Sequence, residues 1–256
     1  MAPTAMAIAA HPDDIELMMA GTLLLLGEKG CQLHYLNVAN GSCGTATRDR
    51  EDNIAVRTSE ARQGAAILGA TFHDPLVDDL QVYYTPDLVS GVCAVIRRAR
   101  PSIILIPSLF DYMEDHVNTA RLAVTAAFCR GMRNFLTDPP TAPVSGDVAV
   151  YHAMPWGLKD PLRRPVAADM YVDISGVMEK KRRALACHRS QKEWLDESQG
   201  FDSYLRAMEE MSAAAGRMSG RFRFAEGWQR HNHLGFGPED FDPLREALGG
   251  LVKRPE

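Results

Sequence analysis

The sequence predicts one α/β domain over residues 1–256, built on a Rossmann-like, mostly parallel sheet with flanking helices. Short β-rich runs alternate with longer helical patterns through the first hundred residues, which is typical of βαβ units. The run SIILIP at residues 102–107 is continuously apolar, as a strand covered on both faces should be. No linker or internal repeat divides the 256 residues, and the 46% hydrophobic content is enough for one large core.

The first elements are assigned from periodicity and from the residues that end them. The apolar run at residues 4–10 predicts the first strand, residues 14–29 a helix, and QLHYLNVA at residues 32–39 the second strand. Residues 50–68 have helical spacing and end at Gly69, a favourable residue just beyond a helix C-terminus. These elements already form the beginning of a parallel sheet.

The later elements continue this alternation. Residues 86–98 have a helical pattern and precede the strand at residues 102–107. An acidic loop at residues 110–115 then leads into a helix at residues 116–132. The remaining expectations are strands at residues 147–153 and 170–174, helices at residues 175–194 and 201–215, and an aromatic, histidine-rich stretch at residues 221–236.

Charge and cysteine usage exclude several classes of function. With a formal net charge of −5, the chain is not expected to have a concentrated basic surface. We therefore expect no nucleic-acid partner and no membrane partner. The leucine run at residues 23–26 is far shorter than the ~20 apolar residues that span a bilayer. Residues 1–10 lack the basic segment of a signal peptide, so we expect a cytoplasmic protein. The five cysteines are widely spaced, which favours free thiols over a disulfide framework.

The segment AAHPDDIE at residues 9–16 lies where the first predicted strand ends and a helix begins. In doubly wound sheets, ligands bind at the carboxyl ends of the strands. His11 and Asp14 are ligand types that suit Zn²⁺, and Asp13 beside them is a candidate general base. Asp13 with Glu16 three residues later is also typical of a helix capping box, so the segment alone leaves both interpretations open.

A second pair of the same kind favours the metal interpretation. The strand at residues 102–107 is followed by Asp115 and His116 at the start of a helix. If the two strand ends face one crevice, His11, Asp14 and His116 form a three-ligand site with a fourth position open for water. The sequence therefore predicts a zinc site, in which another divalent metal would also be accepted.

These segments resemble the PIG-L/LmbE-like zinc deacetylases, a family that includes enzymes acting on N-acetylglucosaminyl intermediates of mycothiol and bacillithiol synthesis. The family motif AHPDDxE is present as residues 10–16. The second motif, HPDH, aligns with Met113-Glu114-Asp115-His116, where the last two positions are kept and the first two differ. Weaker similarities, which extend the resemblance over nearly the whole chain, are Gly44-Thr45, Arg57, Glu60, Leu68-Gly69, residues 181–191 and Ala225-Glu226.

The resemblance implies roles for the motif residues. The zinc ligands would be His11, Asp14 and His116. Asp13 would be the general base, taking a proton from the attacking water, and Asp115 would orient a neighbouring ligand. The implied reaction is removal of the N-acetyl group from an amino sugar or its glycoside, a small sugar-like substrate. The resemblance also points to a homo-oligomer.

The resemblance also implies that Arg57 contacts substrate hydroxyls, and we expect Glu16 and Met113 to contact substrate as well. At Met113 the family has a histidine thought to stabilise the tetrahedral oxyanion, whereas a thioether cannot donate a hydrogen bond. Loss of such a donor can weaken transition-state stabilisation by about 2.7–4 kcal/mol. We expect His152, at the end of a predicted strand, to supply the missing donor as a catalytic residue. The other candidates are Tyr112, His231 and His233.

Other functions and plainer structural roles stay open. The altered second motif is compatible with a zinc hydratase or lyase acting on a small carboxylated molecule, and a non-catalytic metal- or sugar-binding protein is a further alternative. Arg57 and Glu60 are one helical turn apart, so a surface ion pair would also explain them. His188 would serve equally as a helix cap. Asp111 and Glu114, in the acidic loop, suggest contacts to an amine on the substrate or product.

Overall fold

The chain is organised around one mixed sheet. The computed structural model describes residues 3–199 and 203–255, and for residues 196–199 it describes the backbone alone. Within these residues the strands are β1 Thr4–Ala9, β2 Gln32–Asn37, β3 Ala70–His73, β4 Ile103–Ile106, β5 Ala149–Ala153, β6 Met170–Asp173, β7 Ala225–Arg230 and β8 Val252–Lys253. Their order across the sheet is β3-β2-β1-β4-β5-β7-β6-β8. The first five of these are parallel, and β7, β6 and β8 add an antiparallel edge. The predicted α/β class with a mostly parallel sheet is confirmed.

Helices cover both faces of the sheet. Among the described residues they are α1 Asp14–Met18, α2 Ala20–Glu28, α3 Arg50–Leu68, α4 Pro86–Ala99, α5 Glu114–Cys129, α6 Met178–Leu185, α7 Arg189–Gln199, α8 Ser203–Met218 and α9 Pro243–Leu248. None of the helices described is long and apolar enough to cross a membrane.

Strand β1 shows why its run is apolar without alternation. Ala5, Ala7 and Ala9 pack with α2 and α3 on one face, whereas Met6 and Ile8 pack with α4 and α5 on the other. Because successive side chains of a strand point to opposite faces, a strand covered on both sides must be apolar at every position. The alanines on one face also let α1 and α2 approach the sheet closely.

The strand order places a crevice at the carboxyl ends of β1 and β4. The chain moves outward from β1 to β2 and β3, then returns to the other side of β1 at β4. In an open α/β sheet, such a reversal of direction leaves a gap between the two following segments, and ligands bind there. The turn after β1 and the loop after β4 are the segments that carry the two sequence motifs.

Three sequence expectations about elements are corrected. The helix expected at residues 14–29 is interrupted at Met19, whose φ of −132° separates α1 from α2. The helix expected at residues 175–194 is divided into a short 3₁₀ turn, α6 and α7. Strand β7 was not predicted, because the buried Glu226 at its second position disguises the apolar pattern of a central strand. The helix expected at residues 201–215 starts in part outside the described residues and is found as α8.

Candidate metal centre

The turn between β1 and α1 has a strained residue at its centre. Asp13 has φ 103° and ψ −26°, a left-handed conformation that few residues other than glycine adopt, and its side chain makes no capping hydrogen bond to α1. Glu16 accepts a hydrogen bond from the Tyr35 hydroxyl at 3.0 Å instead of closing a capping box. The capping-box interpretation is therefore wrong. Strain of this kind, about 1–3 kcal/mol, is typical of functional turns.

The turn brings the predicted ligands together. One ligand atom each from His11, Asp14 and His116 lies within 4.8 Å of the others. Asp14 Oδ2 is 3.5 Å from His11 Nδ1 and 3.4 Å from His116 Nε2. Donor atoms about 2.0–2.1 Å from a tetrahedral zinc ion would be about 3.3 Å apart. The two measured separations match that spacing, and they are too long for good hydrogen bonds between the groups.

Each histidine is held by a carboxylate on its other ring nitrogen. His11 Nε2 lies 2.9 Å from Asp115 Oδ2, and His116 Nδ1 lies 2.9 Å from Asp111 Oδ1. Asp115 is fixed in turn by the Leu80 backbone N–H at 2.8 Å. Metal-binding histidines characteristically donate their second N–H to such a group, which sets the tautomer and aims the remaining lone pair at the metal. The residues present therefore fit a zinc ion.

The charges of the group also favour a cation. Burial alone would lower the pKa of His11, but the neighbouring carboxylates of Asp115 and Asp14 outweigh it and raise this pKa to about 10. Despite its own burial, Asp14 has a pKa well below the usual range because His116 and His11 stabilise its charge. The buried carboxylates outnumber the imidazoles, so a divalent cation would neutralise charge that protons on the histidines otherwise balance.

Asp13 lies beside the ligands with a different set of partners. Its Oδ2 accepts a hydrogen bond from the Tyr204 hydroxyl at 2.7 Å and lies 3.5 Å from Arg57 Nη2. Burial raises the pKa of the Asp13 carboxyl, and Arg57 and Tyr204 counter only part of that effect. A buried carboxylate with raised proton affinity is suited to general-base work.

Arg57 and Glu60 do not form a surface ion pair. Both side chains are buried, and they point to different partners. Arg57 donates to the Gln191 side chain and to the Pro12 carbonyl, which ties α3 and α7 to the strained turn. Glu60 accepts from the backbone N–H and the hydroxyl of Ser190 at 2.8 and 2.6 Å, at the start of α7.

These groups open onto a cavity of about 460 Å³. That volume is typical of a pocket for a small molecule. Met113 lines the cavity, as expected, but offers only a thioether there. The polar side chains of the lining are His11, Asp13, Asp14, Cys43, Arg57, Asp79, Ser108, Asp111, Tyr112, His116 and Gln191.

Glu16 does not line the cavity, and the expectation that it contacts substrate is corrected. Its side chain is fully buried between Tyr35 and His188, with Oε1 3.4 Å from His188 Nε2. A Cβ at Gly64 would come within 2.2 Å of the same Oε1, so α3 passes directly over this carboxylate. Glu16 and His188 are buried under α3 rather than exposed to a ligand, and the His188 ring caps no backbone N–H, since neither of its nitrogens has a hydrogen-bond partner among the described residues.

His152 also lies outside the lining of the cavity. Its Nδ1 is 2.9 Å from the Pro107 carbonyl oxygen and its Nε2 is 2.9 Å from His231 Nδ1. Burial lowers the pKa of His152 to about 4, so the ring is neutral at physiological pH. With both ring nitrogens engaged, His152 is not placed to replace the missing oxyanion donor. His231 is its partner, whereas Tyr112 does line the cavity.

Several contributors to the site were not identified from the sequence. Asp111 orients His116, and Asp79 accepts from the backbone N–H groups of Gly41 and Cys43 at 2.7 and 2.8 Å, which shapes the glycine-rich loop. The suggested amine contacts are corrected accordingly, because Asp111 is engaged with His116 and Glu114 does not line the cavity. No local pattern marks Asp79, since its partners lie more than 30 residues away along the chain.

Comparison with known proteins finds similarity to one family model, to curated relatives and to solved structures. Residues 6–127 match the family model described as PIG-L, GlcNAc-PI de-N-acetylase. The chain is 30% identical over 230 residues to a diacetylchitobiose deacetylase of Thermococcus kodakarensis, covering 86% of this chain and 80% of that protein. It is 27% identical over 197 residues to a 4-oxalmesaconate hydratase of Pseudomonas putida, covering 74% of each. The fold is similar to that of an N,N'-diacetylchitobiose deacetylase from Pyrococcus horikoshii, with a TM-score of 0.75, 22% identity, and coverage of 95% of this chain and 89% of that one.

Proposed function

Because the chain belongs to the PIG-L family of de-N-acetylases, we propose that it is a zinc-dependent hydrolase that removes the N-acetyl group from an N-acetylated amino sugar or its glycoside. One observation carries the proposal. His11, Asp14 and His116 are brought to metal-binding spacing, with both rings oriented by carboxylates, at a cavity that Asp13 also lines.

The chain's own residues suit the proton transfers of amide hydrolysis. Zinc held by the three ligands would supply Lewis-acid chemistry, making water nucleophilic near neutral pH and polarising the acetyl carbonyl. Tyr204 and Arg57 both engage Oδ2 of Asp13, which assigns Oδ1 to receive the proton of the attacking water. As the carbon–nitrogen bond breaks, the same carboxyl returns that proton to the leaving amine, so acetate and a free amino sugar result.

The oxyanion donor lost at Met113 is assigned to Tyr112. Its ring packs edge-on against His116, with centroids 5.7 Å apart, and it lines the cavity. A phenol hydroxyl donates a hydrogen bond, as the family's histidine would. Tyr112 is 64% exposed, so its hydroxyl is free to adjust to a bound substrate.

The test is release of acetate and amine by the zinc-loaded protein from a panel of N-acetylated amino sugars and their glycosides. Asp13→Ala and His116→Ala should abolish turnover. His73→Ala is a matched control, because His73 lies on the edge strand β3 with Nε2 2.9 Å from His34 Nδ1, away from the cavity. Stoichiometric zinc binding with no acetate released from any member of the panel would contradict the proposal.

A hydratase acting on a small carboxylated substrate is the second candidate, favoured by Met113 and by the similarity to a 4-oxalmesaconate hydratase. The charges of the cavity argue against it. Arg57 is the one arginine or lysine in the lining described above, and it is already engaged with Asp13 and Gln191. No second cation in this lining would pair with a substrate carboxylate beyond the metal ion itself. Product analysis separates the two, since hydration releases neither acetate nor amine.

A further inference from the structure

The cavity has two chemically different walls. The metal ligands, Asp13 and Arg57 form a charged wall around the candidate zinc position. The other wall, the Met/Trp wall, is built of apolar and aromatic side chains and carries no charged group. It consists of Leu17, Met18, Met154, Trp156, Trp194 and Leu195.

The Met/Trp wall continues beyond the cavity. Leu17, Met18 and Met154 also line a small adjoining depression, which reaches Met211 and Ala215 of helix α8 and ends at the buried Lys181–Glu226 pair. Methionine side chains are flexible and polarisable, so a surface rich in them adapts to apolar groups of varied shape. The apolar lining thus extends from the candidate metal centre toward α8.

The Leu and Met side chains of this wall are unsuited to a fully hydroxylated ligand, whereas the indoles of Trp156 and Trp194 offer an aromatic face and one N–H donor each. Each sugar hydroxyl that leaves water needs a new hydrogen-bond partner, and Leu and Met side chains provide none. An alkyl chain or aromatic ring, in contrast, gains free energy from every Å² of apolar surface that it buries there. The charged wall, with its carboxylates and Ser108, is where the polar part of a substrate finds partners.

We propose that the substrate is an amino sugar bearing an apolar alkyl or aryl group, and that this group lies on the Met/Trp wall. The inference rests on the proposed function for the position of the amide. The apolar group has two chemical sources, the aglycone of a glycoside or an N-acyl chain longer than acetyl, and in the second case that acyl chain, not acetyl, is the group hydrolysed.

Binding is measured with the zinc-loaded protein by intrinsic fluorescence, independently of turnover. Trp156 and Trp194 line the cavity, whereas Trp228 is fully buried with its indole N–H bonded to Thr22, so a ligand on the wall changes only the first two signals. The probes are methyl N-acetylglucosaminide, n-hexyl N-acetylglucosaminide and methyl N-hexanoylglucosaminide. We expect at least one hexyl or hexanoyl probe to bind at least tenfold more tightly than the methyl N-acetyl probe.

A polar substitution in the wall should reduce this preference. Met18→Gln keeps the side chain length but adds an amide, and we expect the tenfold preference to fall at least threefold. Met132→Gln is the matched control, since Met132 is an exposed methionine outside the cavity, and the preference should not change.

The outcomes separate the two sources and the two proposals. Tighter binding of the n-hexyl glycoside assigns the wall to the aglycone, and tighter binding of the hexanoyl amide assigns it to the acyl chain. Equal binding of all three probes, or none, overturns the inference. If the hexyl preference is present and sensitive to Met18→Gln while no acetate is released, the deacetylase proposal fails and the apolar subsite stands.

Discussion

Replacing Glu226 by Gln should destabilise the protein strongly, although the two side chains have nearly the same shape. Glu226 Oε1 is 2.6 Å from Lys181 Nζ, and both side chains are almost fully buried. The carboxylate also accepts the backbone N–H groups of Gly21 and Thr22 at 2.8 and 2.7 Å, while Lys181 donates to the Leu17 carbonyl at 2.9 Å. The pair therefore clamps the end of α1 to the start of α2 across the break at residue 19.

The magnitude follows from the burial of the pair. Glu226→Gln removes the charge and leaves the Lys181 ammonium in the interior with only neutral partners. Removing one partner of a buried ion pair typically costs about 3–5 kcal/mol, a large part of the roughly 5–15 kcal/mol by which proteins of this kind are stable. We expect the urea midpoint to fall accordingly with an unchanged m-value.

The control is a pair of the same type on the surface. Arg182 Nε is 2.8 Å from Glu209 Oε1, but both side chains are about two-fifths exposed. Glu209→Gln should therefore change stability by less than about 1 kcal/mol. The double variant Lys181→Met/Glu226→Gln should recover part of the loss, since it removes the uncompensated charge. A loss for Glu226→Gln as small as that of Glu209→Gln would refute this account of the pair.

Three further predictions concern the candidate metal centre. Asp115→Asn should weaken zinc binding roughly 10–100-fold, because the amide holds His11 less firmly in the required tautomer. Competition with a chromophoric chelator measures the zinc affinity. An unchanged affinity would show that Asp115 does not orient His11. Chelation should abolish turnover yet leave the far-ultraviolet circular dichroism intact, since the two largest of the described core clusters are built without the metal. Loss of helical signal would contradict a preformed site. Tyr204→Phe should lower kcat roughly tenfold with little change in KM, because Tyr204 contacts Asp13 and does not line the cavity. A change in KM alone would instead place Tyr204 at the substrate.

The parts of the site that the sequence predicted are those encoded by a short motif at a strand end. His11 and Asp14 follow β1, and His116 follows β4. The alternation of strands and helices is enough to expect these two strand ends at the same edge of the sheet. The structure brings the three side chains together as that logic requires.

The parts that escaped prediction depend on contacts between distant residues. Tyr204 and Asp13 are separated by 191 positions, and nothing near Tyr204 marks it as a partner of the turn after β1. The burial of charged residues was also not predicted from the sequence. Arg57, Lys181 and Glu226 have the local pattern of solvent-exposed residues, because only the packed fold shows the partners that permit their burial.

The clamp formed by Lys181 and Glu226 has a consequence for how this protein can be divided and engineered. All three candidate metal ligands come from the first 116 residues, yet the groups that brace their turn, Lys181, Gln191, Tyr204 and Glu226, come from the last third of the chain. A fragment truncated after α5 would keep every ligand and lose the braces. Gene fusions, duplications and split-protein reporters built on this scaffold must therefore carry both parts, and reassembly of the two fragments should restore metal binding and activity together.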